Sequence, residues 1–266
     1  MQRGALFTSL IGIVLIAAPT KGGTITANFT IPYGIQFVYF DSTFPTGETG
    51  GASAAILDAT RTDTPGPGVD TIIPNTFRAF CAEVGQDIYV PGISSFSDVE
   101  LLSPTQNPPY PQTNPGPGTG PVVFDNTRTA NIEKLFGSFY PGPTDVNGNE
   151  AFQLALWKLA FDDDYTLAPN DPNDAGERMW VDPANDQNPA GVTAAAQSYL
   201  TAIQNDVGNS LPESQVALLT DPSVQDQLVF IPMSISNVPE PGSIGVLLGG
   251  SLMLLARRRK ASHERH

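Results

Sequence analysis

The stretch Glu150-Ala-Phe-Gln-Leu-Ala-Leu-Trp-Lys-Leu-Ala-Phe161 decides the fold class of this chain. It is apolar on nearly every side of a helix, which predicts a helix that is buried rather than one that lies on the surface. Two further helices are predicted near it. Residues 131–140 place apolar side chains at helical spacing, and residues 193–206 carry an apolar stripe behind Thr193 as the expected N-cap.

Segments on both sides of this helical block are rich in β-branched and aromatic residues, which is typical of strands. Seven prolines within residues 103–121 predict an exposed loop between elements. We therefore expect an α+β fold, with a β-sandwich or barrel-like sheet and a helical insert, in one domain over residues 24–237. The predicted strands are residues 24–30, 34–41, 76–84 and 227–235.

The composition excludes several functions. The chain has 13 Lys plus Arg against 27 Asp plus Glu, and residues 22–237 keep 6 of these bases and 25 of these acids. Such a surface repels nucleic acids and anionic lipid headgroups, so neither is an expected partner of this region. Both histidines stand in the last four positions, which excludes Ser-His-Asp or Cys-His catalysis and His-ligated metal sites in the domain.

We accordingly expect a protein that is not an enzyme and has no cofactor and no metal. Residues 145–150 and 171–176 carry oxygen ligands in loops, but neither segment completes the spacing of a helix-loop-helix calcium site. A secreted hydrolase with two catalytic carboxylates is a remaining alternative, although no spacing singles out a pair among the acids.

The N-terminal residues 1–23 are expected to be a secretory signal peptide. Arg3 precedes an unbroken apolar run that ends at the small residues Ala17 and Ala18. This pattern favours export over a buried N-terminal helix.

The C-terminal residues 238–266 contain three ordered elements, which are a proline-rich motif, an apolar run and a basic cluster. The apolar residues 243–256 would rise about 21 Å as a helix, short of the roughly 30 Å of a bilayer core, so the span is marginal. The basic cluster would stay on the cytoplasmic side. The motif is Val238-Pro239-Glu240-Pro241 and the cluster is Arg257-Arg258-Arg259-Lys260.

These three elements resemble the PEP-CTERM sorting signal. The resemblance implies export in a Gram-negative cell, transient anchoring in the inner membrane through the C-terminal helix, recognition by an exosortase, and cleavage near the Pro-Glu-Pro motif. The mature protein would then lie in the cell envelope or on the outer surface. An ordinary tail anchor is the alternative, and it shares the membrane step without the processing.

Two residues in the middle region suggest a chemical function together. Cys81 is the sole cysteine and lies in an apolar strand, although an unpaired thiol is a liability in an exported protein. Gln153 carries an amide that is costly to bury, yet it lies on the almost wholly apolar helix. If the Cys81 sulfur attacks the Gln153 side-chain carbonyl, ammonia leaves and an internal thioester joins strand to helix. Its acyl carbon would remain electrophilic towards an external amine or hydroxyl.

The segments around these residues resemble the Cys–Gln thioester domains of bacterial surface adhesins. Phe80-Cys81 matches the aromatic-Cys strand motif of that family, and Gln153-Leu-Ala155-Leu-Trp157 matches its helix motif. Phe152 and Glu83 depart from the family pattern, which commonly has Thr or Ser before the glutamine and Asp or Asn after the cysteine. The resemblance implies a covalent adhesin with a thioester pocket that Phe80, Phe152, Ala155 and Trp157 line.

Other interpretations of these residues stay open. Cys81 is alternatively an inert buried thiol, Gln153 a glutamine that caps a strand edge, and Trp157 plain core. The protein would then be a structural or exopolysaccharide-associated surface protein of a matrix or biofilm. Gln86 is a second candidate for the acyl donor. It is only five residues from Cys81, however, and from a strand its side chain is less able to reach the sulfur. Glu83 and the acidic surface disfavour a thiolate, and Arg78 is the only base nearby in sequence.

Overall fold

The structure, a computed structural model, describes residues 23–31, 36–42, 49–54, 56–66, 68, 72–82, 88, 90–102, 125–140, 145–162, 164–168, 179–208, 216–221 and 223–231. In chain order the elements are β1 (Ile25–Thr30), β2 (Gln36–Ser42), β3 (Thr49–Ala54), β4 (Leu57–Arg61), β5 (Thr76–Cys81), β6 (Gly92–Phe96), β7 (Asp98–Leu101), α1 (Asn126–Phe139), α2 (Val146–Phe161), β8 (Met179–Trp180), α3 (Val192–Gln204), β9 (Val216–Asp221) and β10 (Val224–Phe230).

Seven of these strands form one antiparallel sheet in the order β6-β1-β4-β5-β10-β9-β7. Its two end strands, β6 and β7, are consecutive in the chain and only Ser97 separates them. The sheet therefore curls until its ends come together and forms a nearly closed barrel. Ser97 supports this junction, because its backbone N–H donates to the Thr220 carbonyl at 3.1 Å. The strands β3, β2 and β8 form a second, three-stranded sheet.

The interior of the barrel is built from alternate residues of its strands, as the two-residue period of a strand requires. Ile25, Ala27 and Phe29 of β1 all point inwards and are completely buried. The Phe29 ring packs edge-on against those of Phe77 and Phe96, with centroids 6.2 and 5.8 Å apart. This buried aromatic cluster determines which face of each strand points into the barrel.

A second core lies between the outer face of the barrel and the helices. All side chains of α2 from Gly148 to Phe161 are buried, which confirms the predicted buried helix. Phe80 projects outwards from β5 into this core, where its ring meets those of Phe152 and Phe136 at 4.7 and 5.4 Å. The α+β class, the barrel-like sheet and the helical insert after β7 are therefore confirmed for the described residues.

The helix boundaries correct several predictions. Helix α1 begins at Asn126 and α2 at Val146, both earlier than predicted, because the side chains of Asp125 and Asp145 cap them. The first turns are polar and so carry no apolar periodicity. Thr193 is not the N-cap of α3. That position belongs to Gly191, whose φ of 91° suits glycine better than any residue with a Cβ atom.

Candidate functional site

Cys81 is the last residue of β5 and lies beyond the last described pair between β5 and β4. Its Cα lies opposite that of Gln227 in β10, and the next residue, Ala82, donates its N–H to the Asp226 carbonyl at 2.8 Å. On the other side, the pairing with β4 ends at Leu57 opposite Ala79. The backbone of Cys81 thus extends two residues beyond the last pair with β4.

Gln153 of α2 provides the missing hydrogen bonds. The Cys81 N–H donates to Gln153 Oε1 at 3.0 Å, and Gln153 Nε2 donates to the Cys81 carbonyl at 2.8 Å. Both residues are almost fully buried, with exposed fractions of 3% for Cys81 and 1% for Gln153. The two groups that the sequence analysis paired across 72 positions are therefore brought together by the fold.

The direction of these bonds matters for chemistry. Both hydrogen bonds are made to the backbone of Cys81, so the Gln153 Cδ atom lies beside the Cys81 Cα atom. The Cys81 Sγ atom is two covalent bonds away from that Cα. The Cys81 N–H points at the carbonyl oxygen of the amide, where negative charge would develop if sulfur added to Cδ. The amide nitrogen, which would depart as ammonia, is on the side of the Cys81 carbonyl.

The predicted pocket residues all lie in the helix-side core. Phe80 and Phe152 flank the pair in sequence, and their rings are in contact. Ala155 and Trp157 are completely buried in the same cluster. These four residues belong to the same buried core as Gln153, whose own exposed fraction is 1%. Arg78, the base nearest Cys81 in sequence, pairs instead with Asp58 across the β4–β5 ladder at 3.3 Å.

Gln227 is a site residue that the sequence analysis missed. It is completely buried opposite Cys81, and its Nε2 makes a long contact of 4.0 Å with the Cys81 Sγ. Between Val224 and Gln227 the register of β10 shifts, as at a β-bulge. A bulge re-aims side chains and is frequent next to functional sites. Its signal in the sequence is a glutamine directly before the apolar residues Leu228–Phe230.

Glu150, which the sequence placed among loop oxygen ligands, is instead a buried residue of helix α2. It lies on α2 one turn before Gln153 and has an exposed fraction of 2%. Burial raises the pKa of this carboxyl from 4.5 to about 7. It is thus a buried acid that exchanges its proton near neutral pH, in a domain without histidine.

Further acidic residues have structural roles in the described part of the chain. Asp145 caps α2 by accepting the Gly148 N–H at 2.9 Å. Asp162 and Asp164 converge on the buried ammonium group of Lys158, at 2.7 and 3.1 Å. No group of three or more His, Cys, Asp or Glu residues that could hold a metal occurs within the described part of the chain.

The remaining predicted residues lie outside the described part. They are the signal peptide up to residue 22, Gln86 and Glu83, the proline-rich loop 103–121, the acidic segment 171–176, the motif Val238–Pro241, the apolar run and the cluster Arg257–Lys260. Among the helices that the structure describes, none has the length and apolarity needed to cross a bilayer.

No protein-family model, curated protein or solved structure matches this chain. The contact between Cys81 and Gln153 is the feature of the described residues that points most directly to a function.

Proposed function

We propose that this chain is an exported cell-envelope protein that attaches covalently to a target through an internal thioester between Cys81 and Gln153. The single observation that carries the proposal is the pair of hydrogen bonds by which the Gln153 carboxamide is held on the backbone of Cys81. These bonds hold a sole cysteine and a buried glutamine from distant parts of the chain close together, and such proximity supports the proposed bond formation.

The reaction balances without an external reagent. The Cys81 sulfur adds to Cδ of Gln153, the C–N bond breaks, and the nitrogen leaves as ammonia with the thiol proton. An amine on the target then attacks the thioester carbon, forms an amide with the Gln153 side chain, and returns the proton to the Cys81 sulfur. Since the acyl carbon stays buried until then, hydrolysis is slow.

The intact mass of the purified full-length chain tests this proposal. We expect the wild-type protein to be lighter by one ammonia than its sequence requires, and the deficit to vanish in Cys81→Ala and Gln153→Ala. Both variants are purified in the same way, so that any processing at the termini cancels in the comparison. A wild-type chain of full mass with a freely titrating thiol would reject the thioester.

A second candidate function is a non-covalent structural or exopolysaccharide-associated surface protein. It is favoured by the fact that the hydrogen bonds of Gln153 complete the edge of β5 without any reaction. In this case Cys81 is an inert member of the core. The same mass measurement separates the two candidates, because only the thioester protein loses ammonia.

The route to the cell surface is part of the proposal. The signal peptide and the PEP-CTERM-like tail would direct export, inner-membrane anchoring and processing by an exosortase. Cell fractionation of a variant with Pro239 and Pro241 replaced by Ala tests this route. We expect the variant to accumulate in the inner membrane with its tail attached, whereas an ordinary tail anchor would give the same distribution for both forms.

A further inference from the structure

Gln227 combines two features that its role in the sheet does not explain. Its Nε2 donates to the carbonyl of Gln225 at 3.1 Å and reaches the Cys81 Sγ at 4.0 Å. Its Oε1 atom is buried and finds no hydrogen-bond partner among the residues that the structure describes, although the residue is completely shielded from water. A buried acceptor in that state destabilises the fold, so an apolar residue at this position would stabilise the strand better.

We infer that Gln227 is the positioning residue of the thioester site and that it selects a primary amine as the reacting partner. The inference rests on the proposed function. The Nε2–H group stabilises negative charge on the Cys81 sulfur, both when sulfur attacks Gln153 and when it is released. The Oε1 atom accepts an N–H from the departing ammonia or the arriving amine.

The choice of an amine over a hydroxyl follows from the count of hydrogens. An alcohol gives up its only O–H proton when it forms an ester, so it cannot keep a hydrogen bond to Oε1 through the reaction. Ammonia and a primary amine keep at least one N–H at every stage. An acceptor without a partner therefore favours nitrogen nucleophiles such as a lysine side chain.

The first test measures discharge of the thioester by methylamine, followed by intact mass on the full-length chain. We expect Gln227→Leu to slow the reaction about tenfold, as is typical for the loss of one hydrogen bond to a charged group. Gln227→Met is the second variant, since its unbranched side chain fits the same space. The preference for methylamine over methanol should fall in both variants.

The matched control is Gln197→Leu. Gln197 donates to the Tyr165 carbonyl and accepts from the Leu167 N–H, so its loss weakens the fold without touching Cys81. We expect this variant to lose stability and keep the wild-type methylamine rate. If Gln197→Leu and Gln227→Leu slow the reaction equally, Gln227 is merely structural and the inference fails.

The second test does not need a thioester. In a Gln153→Ala chain, where Cys81 cannot be acylated, iodoacetamide reports the reactivity of the sulfur directly. Addition of Gln227→Leu should slow alkylation about tenfold, whereas addition of Gln197→Leu should not. Equal alkylation rates would overturn the role of Gln227 even if the thioester forms. A wild-type chain without the ammonia deficit would instead overturn the proposed function, and the choice of an amine with it.

Discussion

Gln153 makes with Cys81 the two hydrogen bonds that a neighbouring strand would otherwise make. The distances are 3.0 Å from the Cys81 N–H to Oε1 and 2.8 Å from Nε2 to the Cys81 carbonyl. A side chain of a buried helix thus takes the place of backbone at the end of β5. The contact ties the helix-side core to the barrel at the one residue that carries a thiol.

The first prediction isolates the energy of this contact from any covalent bond. In a Cys81→Ala chain the backbone hydrogen bonds remain, so adding Gln153→Leu leaves a buried N–H and a buried carbonyl without partners. We expect the free energy of unfolding, measured in urea, to fall by about 2 kcal/mol. The exposed Gln204→Leu in the same background should change it by less than about 0.5 kcal/mol. A loss as small as that of Gln204→Leu would contradict the geometry described here.

The buried helix, the Cys81–Gln153 pair and the first strand could be predicted from the sequence, because each has a clear local pattern. The apolar stretch at residues 150–161 was long enough to predict a buried helix, and the order of Cys81 and Gln153 suggested a pair. Strand β1 was predicted within one residue of its bounds, because alternation is clear there. The helical insert followed from its position between strand-rich segments.

The rest depended on features that local pattern does not show. Strands β6 and β7 each span five residues or fewer, and their partners, β1 and β9, are distant in sequence. Gln227 becomes a site residue through its register opposite Cys81, which pairing between distant strands determines. The raised pKa of Glu150 results from burial, which a helix pattern alone does not quantify.

The second prediction concerns the pH dependence of stability. Burial raises the pKa of Glu150 to about 7 in the folded protein, against 4.5 for an exposed carboxyl. Between these values the fold keeps a proton that the unfolded chain releases, so this residue makes stability fall as pH rises from 4.5 to 7. Below that window both states are protonated, and above it the loss is complete.

Glu150→Gln removes this dependence while keeping the shape of the side chain. We expect the variant to gain stability over the wild type by on the order of 2–3 kcal/mol as pH rises from 4.5 to 8. The measurement is the difference between the two free energies of unfolding across that range. A difference that stays constant with pH would show that Glu150 titrates alike in both states.

The third prediction concerns the start of the helix that carries Gln153. Asp145 caps α2 through the Gly148 N–H, and a Cβ atom on Gly148 would collide with the Asp145 side chain. Gly148→Ala should therefore destabilise the protein by about 1 kcal/mol, although alanine is normally the better helix former. In an Asp145→Ala background the collision is absent, and the same substitution should stabilise it by about 0.5–1 kcal/mol. Thermal unfolding of the wild type, the two single variants and the double variant checks this change of sign in the stability effect of Gly148→Ala. The same sign in both backgrounds would exclude the collision.

The fourth prediction concerns the ion pair at the other end of this helix. The side chains of Lys158 and Asp162 are completely buried, and the Lys158 Nζ lies 2.7 Å from the Asp162 carboxylate. Lys158 also donates to the Met179 carbonyl of β8 at 2.7 Å, and Asp162 accepts the Met179 N–H at 2.9 Å. Lys158→Met leaves the Asp162 carboxylate buried without its cation, and we expect a loss of about 3–5 kcal/mol. The double variant Lys158→Met/Asp162→Asn removes both charges and should be less destabilised than the sum of the single variants. A double-mutant cycle in urea measures this coupling, and additive losses would mean that the two charges do not stabilise each other in the fold.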